Sequence, residues 1–151
     1  RSLMVQKGSN GMHTTGVSAL DTTIQKTNVW IREVMEELGV DDRRYAYVAL
    51  RSVLHTLRDC LTMQEAADLG SQLPMLIRGF YYDAWQPSGK PVKFDRDEFF
   101  ASIRLQLAER DIDPQLVVKS VLQVVRRHVA SGEIEDIMAI LPPGLSVLWE
   151  S

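Results

Sequence analysis

The sequence predicts an all-α fold, an eight-helix bundle made of two tandem four-helix repeats related by a pseudo-twofold axis. Three observations predict it. Ser52-Val53-Leu54, Arg58, Glu65, Asp68 and Leu73-Pro74 recur 68 positions later as Ser120-Val121-Leu122, Arg126, Glu133, Asp136 and Leu141-Pro142. An ungapped overlay of 46–83 on 114–151 also matches apolar positions such as Leu57 with Val125 and Ile77 with Leu145, the pattern an internal duplication leaves. Apolar residues fall at spacings of three and four through the long segments, and no stretch alternates with the period of a strand.

The elements follow in order. Asp21 reads as an N-cap for a first helix whose buried stripe is Ile24, Trp30, Ile31, Val34, Met35 and Leu38, with Gly39 as its stop. Asp41 or Asp42 caps a second helix, and Ala46, Ala49, Leu50, Val53, Leu54, Leu57, Cys60 and Leu61 form its apolar face. Thr62 with Glu65 is a capping box that opens a short third helix ending near Gly70. Leu73-Pro74 starts a fourth, in which Leu76, Ile77, Phe80, Tyr81 and Ala84 continue at helical spacing. The two prolines and the glycine of Gln86 to Val92 mark the connection between halves. Asp95 with Glu98 caps a fifth helix carrying Phe99, Phe100, Ile103 and Leu107. Asp113 and Pro114 open a sixth that is rich in valine, so packing must outweigh propensity there. Ser131 and Glu133 begin a short seventh, and Leu141-Pro142 begins an eighth that ends at Trp149.

Composition sets the functional limits. A chain of 151 residues with 45% apolar and 25% charged residues is an ordinary globular composition, and a domain of this size buries about 68–70% of its unfolded surface without staples. No cofactor is expected. The net charge of −3 gives no global attraction to nucleic acid or to an anionic membrane. Cys60 is the single cysteine and has apolar neighbours, so it reads as a core residue in a cytoplasmic protein. No apolar run approaches the ~18–20 residues that cross a bilayer, and no signal-peptide core is present. Residues 1–11 read as a vector-derived leader and 12–20 as a flexible arm. Residues 21–151 form a single domain, with repeat one at 21–85, a linker at 86–94 and repeat two at 95–151.

Three stretches carry a family resemblance. They are Gln25 to Arg58 (QKTNVWIREVMEELGVDDRRYAYVALRSVLHTLR), Gln72 to Trp85 (QLPMLIRGFYYDAW) and His128 to Leu141 (HVASGEIEDIMAIL). Together they resemble a bacterial family catalogued as domain of unknown function 2267. LPMLIRGFYYDAW and GEIED are the most specific marks, and the likeness covers nearly all of Ala19 to Trp149. The resemblance implies an all-helical fold and no activity.

Candidate sites are few. Arg78, Tyr81, Tyr82 and Trp85 put ring faces, phenols and a guanidinium beside the Pro/Gly loop, either as a recognition surface or as the closure of the first half. Arg44, Tyr47, Arg51, His55 and Arg58 make a basic stripe along helix two, suited to a phosphate backbone or an acidic partner, or else a solvated face. Arg58 with Glu65 or Asp68, and Arg126 with Glu133 or Asp136, are expected to form paired bridges that fix the angle between long and short helices. The alternative is that the two arginines form an anion site. His13, His55 and His128 show no metal-ligand spacing, so no metal is expected. GxSxG, GxxxxGK[ST] and GxGxxG are all missing from the sequence, and no nucleophile with a base is evident. The resulting expectation is a non-enzymatic module that binds a protein partner or a second copy of itself through the aromatic end of helix four. The alternatives are a small-molecule binder or enzyme with its pocket at that end, and nucleic-acid binding through the arginine stripe.

Overall fold

A computed structural model describes residues 15–108 and 111–149. The leader at 1–11, His13 and the chain beyond Trp149 lie outside the described residues. Seven α-helices follow one another: α1 (Ser18–Leu38), α2 (Arg43–Cys60), α3 (Met63–Ser71), α4 (Met75–Tyr82), α5 (Arg96–Leu107), α6 (Pro114–His128) and α7 (Ser131–Ile140). A single 3-10 turn, Ser146–Trp149, comes last. The described residues contain no strand.

The expected eighth helix is therefore a correction. Leu73-Pro74 is followed by Met75 and Leu76, good helix formers, whereas Leu141-Pro142 is followed by Pro143 and Gly144. Gly144 sits at φ +94, in the left-handed region where a side chain is disfavoured. An α-helix cannot propagate through it, and the chain tightens into a 3-10 turn instead.

The caps show how the sequence starts and stops the other helices. Asp42 accepts from the Tyr45 N–H at 3.2 Å, and Asp113 from that of Gln115 at 2.9 Å. Asp95 and Glu98 satisfy each other's backbone N–H groups in a complete capping box. Thr62 makes only half of one, because the Glu65 carboxylate accepts from the threonine hydroxyl rather than from the Thr62 N–H. Asp21 is not an N-cap. α1 begins at Ser18 behind Val17, and Asp21 lies in the first turn, where its carboxylate accepts from the Thr15 N–H at 2.7 Å.

α2 is the central helix, buried over twelve of its eighteen residues. α1, α4, α5 and α6 all pack against it. α1 also crosses to α6, and the short helices α3 and α7 meet each other. Trp30, Leu50, Leu54, Leu57, Phe99 and Ile103 are among the fully buried side chains of one continuous core. Burying each such side chain contributes about 1.5–3 kcal/mol. A small polar network crosses the α2–α5 contact, where the Thr56 hydroxyl lies 3.2 Å from that of Ser102 and accepts from Gln106 Nε2 at 3.0 Å.

Candidate functional site

α4 is eight residues long, too short to persist as an isolated helix, so its position depends on what holds its ends. At the N-terminus Pro74 is the N-cap and has no side-chain acceptor to offer. Thr23 of α1 takes that role, its hydroxyl accepting from the Leu76 N–H at 2.8 Å. At the C-terminus three α2 residues on one face converge. His55 Nε2–H donates to the Phe80 carbonyl at 2.6 Å, and Arg58 Nη1 donates to the carbonyls of Tyr81 and Asp83 at 2.8 and 3.0 Å. Arg51 pairs with the Asp83 carboxylate at 2.9 Å. Cationic and N–H groups at the negative end of a helix dipole are favourable, and here they satisfy carbonyls the helix itself leaves open.

This clamp answers two of the sequence expectations. The basic stripe is not a continuous exposed surface: Arg44 and Tyr47 lie at the surface, Arg51 is half-buried, and His55 and Arg58 are 7% and 5% exposed. The Arg58 guanidinium goes to the α4 end and to Asp59, at 3.1 Å, rather than to Glu65 or Asp68. Glu65 is occupied with the α3 cap, and Asp68 accepts from Gln64 at 2.9 Å. Arg58 follows α4 because unpaired helix-end carbonyls buried beside it would cost more than leaving two half-buried carboxylates to their own partners. The copy in the second half, Arg126, is exposed.

Acidic residues of the two halves lie close enough for their charges to act on one another. Burial, followed by the nearby charges of Asp68, Asp136 and Glu65, pushes the Glu133 carboxyl above its ordinary range. No group of three or more His, Cys, Asp or Glu among the described residues has the geometry to hold a metal.

The aromatic end of α4 is mostly interior. Tyr81 is fully buried, and its hydroxyl donates to the Ala66 carbonyl at 2.7 Å. Tyr82 is half-buried over Gly70 of α3, where any side chain would collide with its ring, and it contacts the half-buried Trp85 at a ring separation of 5.5 Å. Arg78 is exposed, but its Nε donates to the Gly70 carbonyl at 2.8 Å and its Nη2 to that of Leu73 at 2.9 Å, tying α4 to the end of α3. Cys60 is buried and its thiol is pushed up to about 12 by burial and by Asp59, which leaves it a poor nucleophile.

The surface that the sequence reading passed over is the outer stripe of α4. Leu73, Ile77 and Tyr81 face the core, while Met75 and Leu76 are 52% and 45% exposed and Gly79 lies open beside them. Leu76, Gly79 and Phe80 line a cleft of about 520 Å³ with Ile31 of α1 and Tyr47 of α2, and Arg43 and Arg44 stand at it. Tyr47 meets Phe80 edge to face at 5.1 Å. The available signal was a second apolar stripe at 76 and 80, one residue behind the core stripe at 77 and 81.

A family model described as an uncharacterized conserved protein (DUF2267) matches residues 27–148, more than half of the chain. Among individual relatives, the transcriptional repressor NrdR of Mesorhizobium japonicum is 38% identical over 48 residues, which is 32% of this chain and 30% of that repressor. The NrdR proteins of a Bradyrhizobium species and of Brucella anthropi are 40% and 42% identical over matches of the same extent. The chain thus spans less than a third of the length of the curated relatives it matches.

Proposed function

The chain belongs to the uncharacterized DUF2267 family, and we propose from its surface that it is a protein-interaction module that docks a partner helix in the cleft between α1, α2 and α4. The observation that carries this reading is the apolar stripe of exposed Leu76 and half-buried Phe80 lining one cleft with Tyr47, with two arginines beside it. An amphipathic helix with an apolar stripe and an acidic residue fits that lining, since apolar area supplies the affinity and charge sets the orientation.

The same proposal covers the architecture and its setting. The two halves are copies of one unit, supported by the repeated residues and by reciprocal packing: α1 lies on α6, α5 lies on α2, and α3 meets α7. Together they make one domain. The stretch shared with the repressors supports a regulatory setting, and the inward turn of His55 and Arg58 favours protein contacts over nucleic acid as the means. No described helix is long and apolar enough to cross a membrane, and the lone buried thiol supports a cytoplasmic location.

Affinity capture from the source cell tests the reading. Wild type, Leu76→Glu, Arg44→Glu and the remote Lys93→Glu are compared by mass spectrometry after each is shown to melt normally. The expected result is a partner retained by wild type and Lys93→Glu and lost by the other two. An identical set of retained proteins on all four baits would overturn the proposal. Nucleic acid retained only by baits carrying Arg44 would favour the arginine-stripe reading instead.

A further inference from the structure

A second cleft, of about 630 Å³, lies on the opposite flank of α4, bounded by the first half of α1, the turn between α3 and α4, and the end of α6. Its volume falls in the range of small-molecule sites, about 300–1,000 Å³. Its lining is one-signed. Lys26 from α1, Arg78 from α4 and His128 from α6 all face it, and no aspartate or glutamate among the described residues lines it, although the whole chain carries a net charge of −3. Apolar side chains, among them Val29 and Met75, make up much of the remainder.

Arg78 and His128 are fixed before any ligand arrives. Arg78 is held by the carbonyls of Gly70 and Leu73. The His128 ring stacks on Trp30 with centroids 4.8 Å apart, and its Nε2 meets Glu33 at 2.8 Å. A group already ordered loses little conformational freedom on binding, so such a lining favours a ligand at low entropic cost. Lys26 is exposed and reaches in from the rim.

We propose that this cleft binds a small organic anion, its carboxylate, phosphate or sulfonate group between Lys26 and Arg78 and its aromatic body against Val29, Met75 and the edge of the Trp30–His128 stack. Charge selects the head group, and the apolar wall selects a body over a bare inorganic ion. The site is separate from the partner cleft, and its residues are distinct from those tested there.

The test uses 8-anilinonaphthalene-1-sulfonate and its uncharged counterpart N-phenyl-1-naphthylamine, which share a ring system and differ in the sulfonate. Both are titrated into nitrogen-15-labelled full chain and followed by two-dimensional NMR. The expected result is saturable one-to-one binding of the sulfonate that shifts the Trp30 indole N–H, with the neutral compound at least about tenfold weaker. Lys26→Glu should weaken the sulfonate by about tenfold or more, while Arg44→Glu, on the other cleft, should leave it unchanged. Equal binding of the two compounds, indifference to Lys26→Glu, shifts centred on Leu76 and Gly79, or no saturable binding would each overturn the proposal.

Discussion

His55 is nearly buried, and its ring is a donor to the end of α4, so its charge state belongs to the fold. Burial is the largest influence on its pKa, and with Arg58 and Arg51 it holds the imidazole below its ordinary value, against the opposing pull of the Phe80 carbonyl and Asp59. A depressed histidine contributes stability that is complete above the ordinary value of 6.5 and is lost as pH falls through the lower folded value. Denaturant titrations should therefore show wild type losing stability below pH ~6.5, with a shallower slope in His55→Gln. A parallel pair of curves would exclude His55 as the source. Glu133 has the opposite sign. Its raised carboxyl contributes stability present below the ordinary 4.5 and lost as pH rises through the folded value, so its charge at neutral pH is unfavourable. Glu133→Gln should raise Tm at pH 7 by up to about 2 °C, the scale of a half-buried charge interaction screened by solvent, and give no gain below pH ~4. The sequence identified Glu133, Asp136, Glu65 and Asp68 as a repeated set, yet not that they face one another, because a one-dimensional repeat says which residues are equivalent and nothing about which copies touch.

At the scale of the element, α4 depends on side chains from its neighbours more than on its own length. Arg58 supplies one terminal nitrogen to two carbonyls of the α4 end and its Nε to Asp59, a division of labour that needs the planar fork. Arg58→Lys keeps the charge but cannot reach both directions. It should cost about 1–3 kcal/mol in urea unfolding, the penalty of leaving a buried acceptor unpaired. A loss below about 0.5 kcal/mol would mean that water replaces the guanidinium. The existence of α4 was legible, since Leu73, Ile77 and Tyr81 keep helical spacing and all three are buried. Its final residue was not. The apolar pattern runs on through Ala84 and Trp85, but the helix stops at Tyr82 and Ala84 takes φ +63, because the α2 clamp fixes the carbonyls at which the helix ends. The second half shows the reverse case. The Pro-Pro-Gly run beside the repeated Leu-Pro overrides the likeness of the two copies, because a glycine at positive φ decides local geometry more firmly than a repeat pattern does.

Over the whole molecule, the halves are not independent bodies. α2, on which the first half is built, is covered on two sides by α5 and α6, and α1 reaches across to α6. A fragment of residues 15–93 would expose those faces to water. It should lack a cooperative thermal transition by circular dichroism, and one matching the full chain would show that each half carries its own core. The long helices and the apolar positions that bury them were legible from periodicity alone, whereas the crossed order of packing was not, because contacts between distant segments leave no local pattern. That crossing has a consequence for assembly. The halves are joined by one connector, residues 83–95, pinned to α2 where the Val92 N–H donates to the Asp59 carbonyl at 2.8 Å. If the connector is too short to fold back, α5 to α7 of one chain can seat on α1 to α4 of another through the very contacts they make at home. Such domain-swapped dimers need no new interface. Deleting Ser88 and Gly89 should therefore raise the share of intertwined dimer over that of wild type in light scattering, with the helical content unchanged.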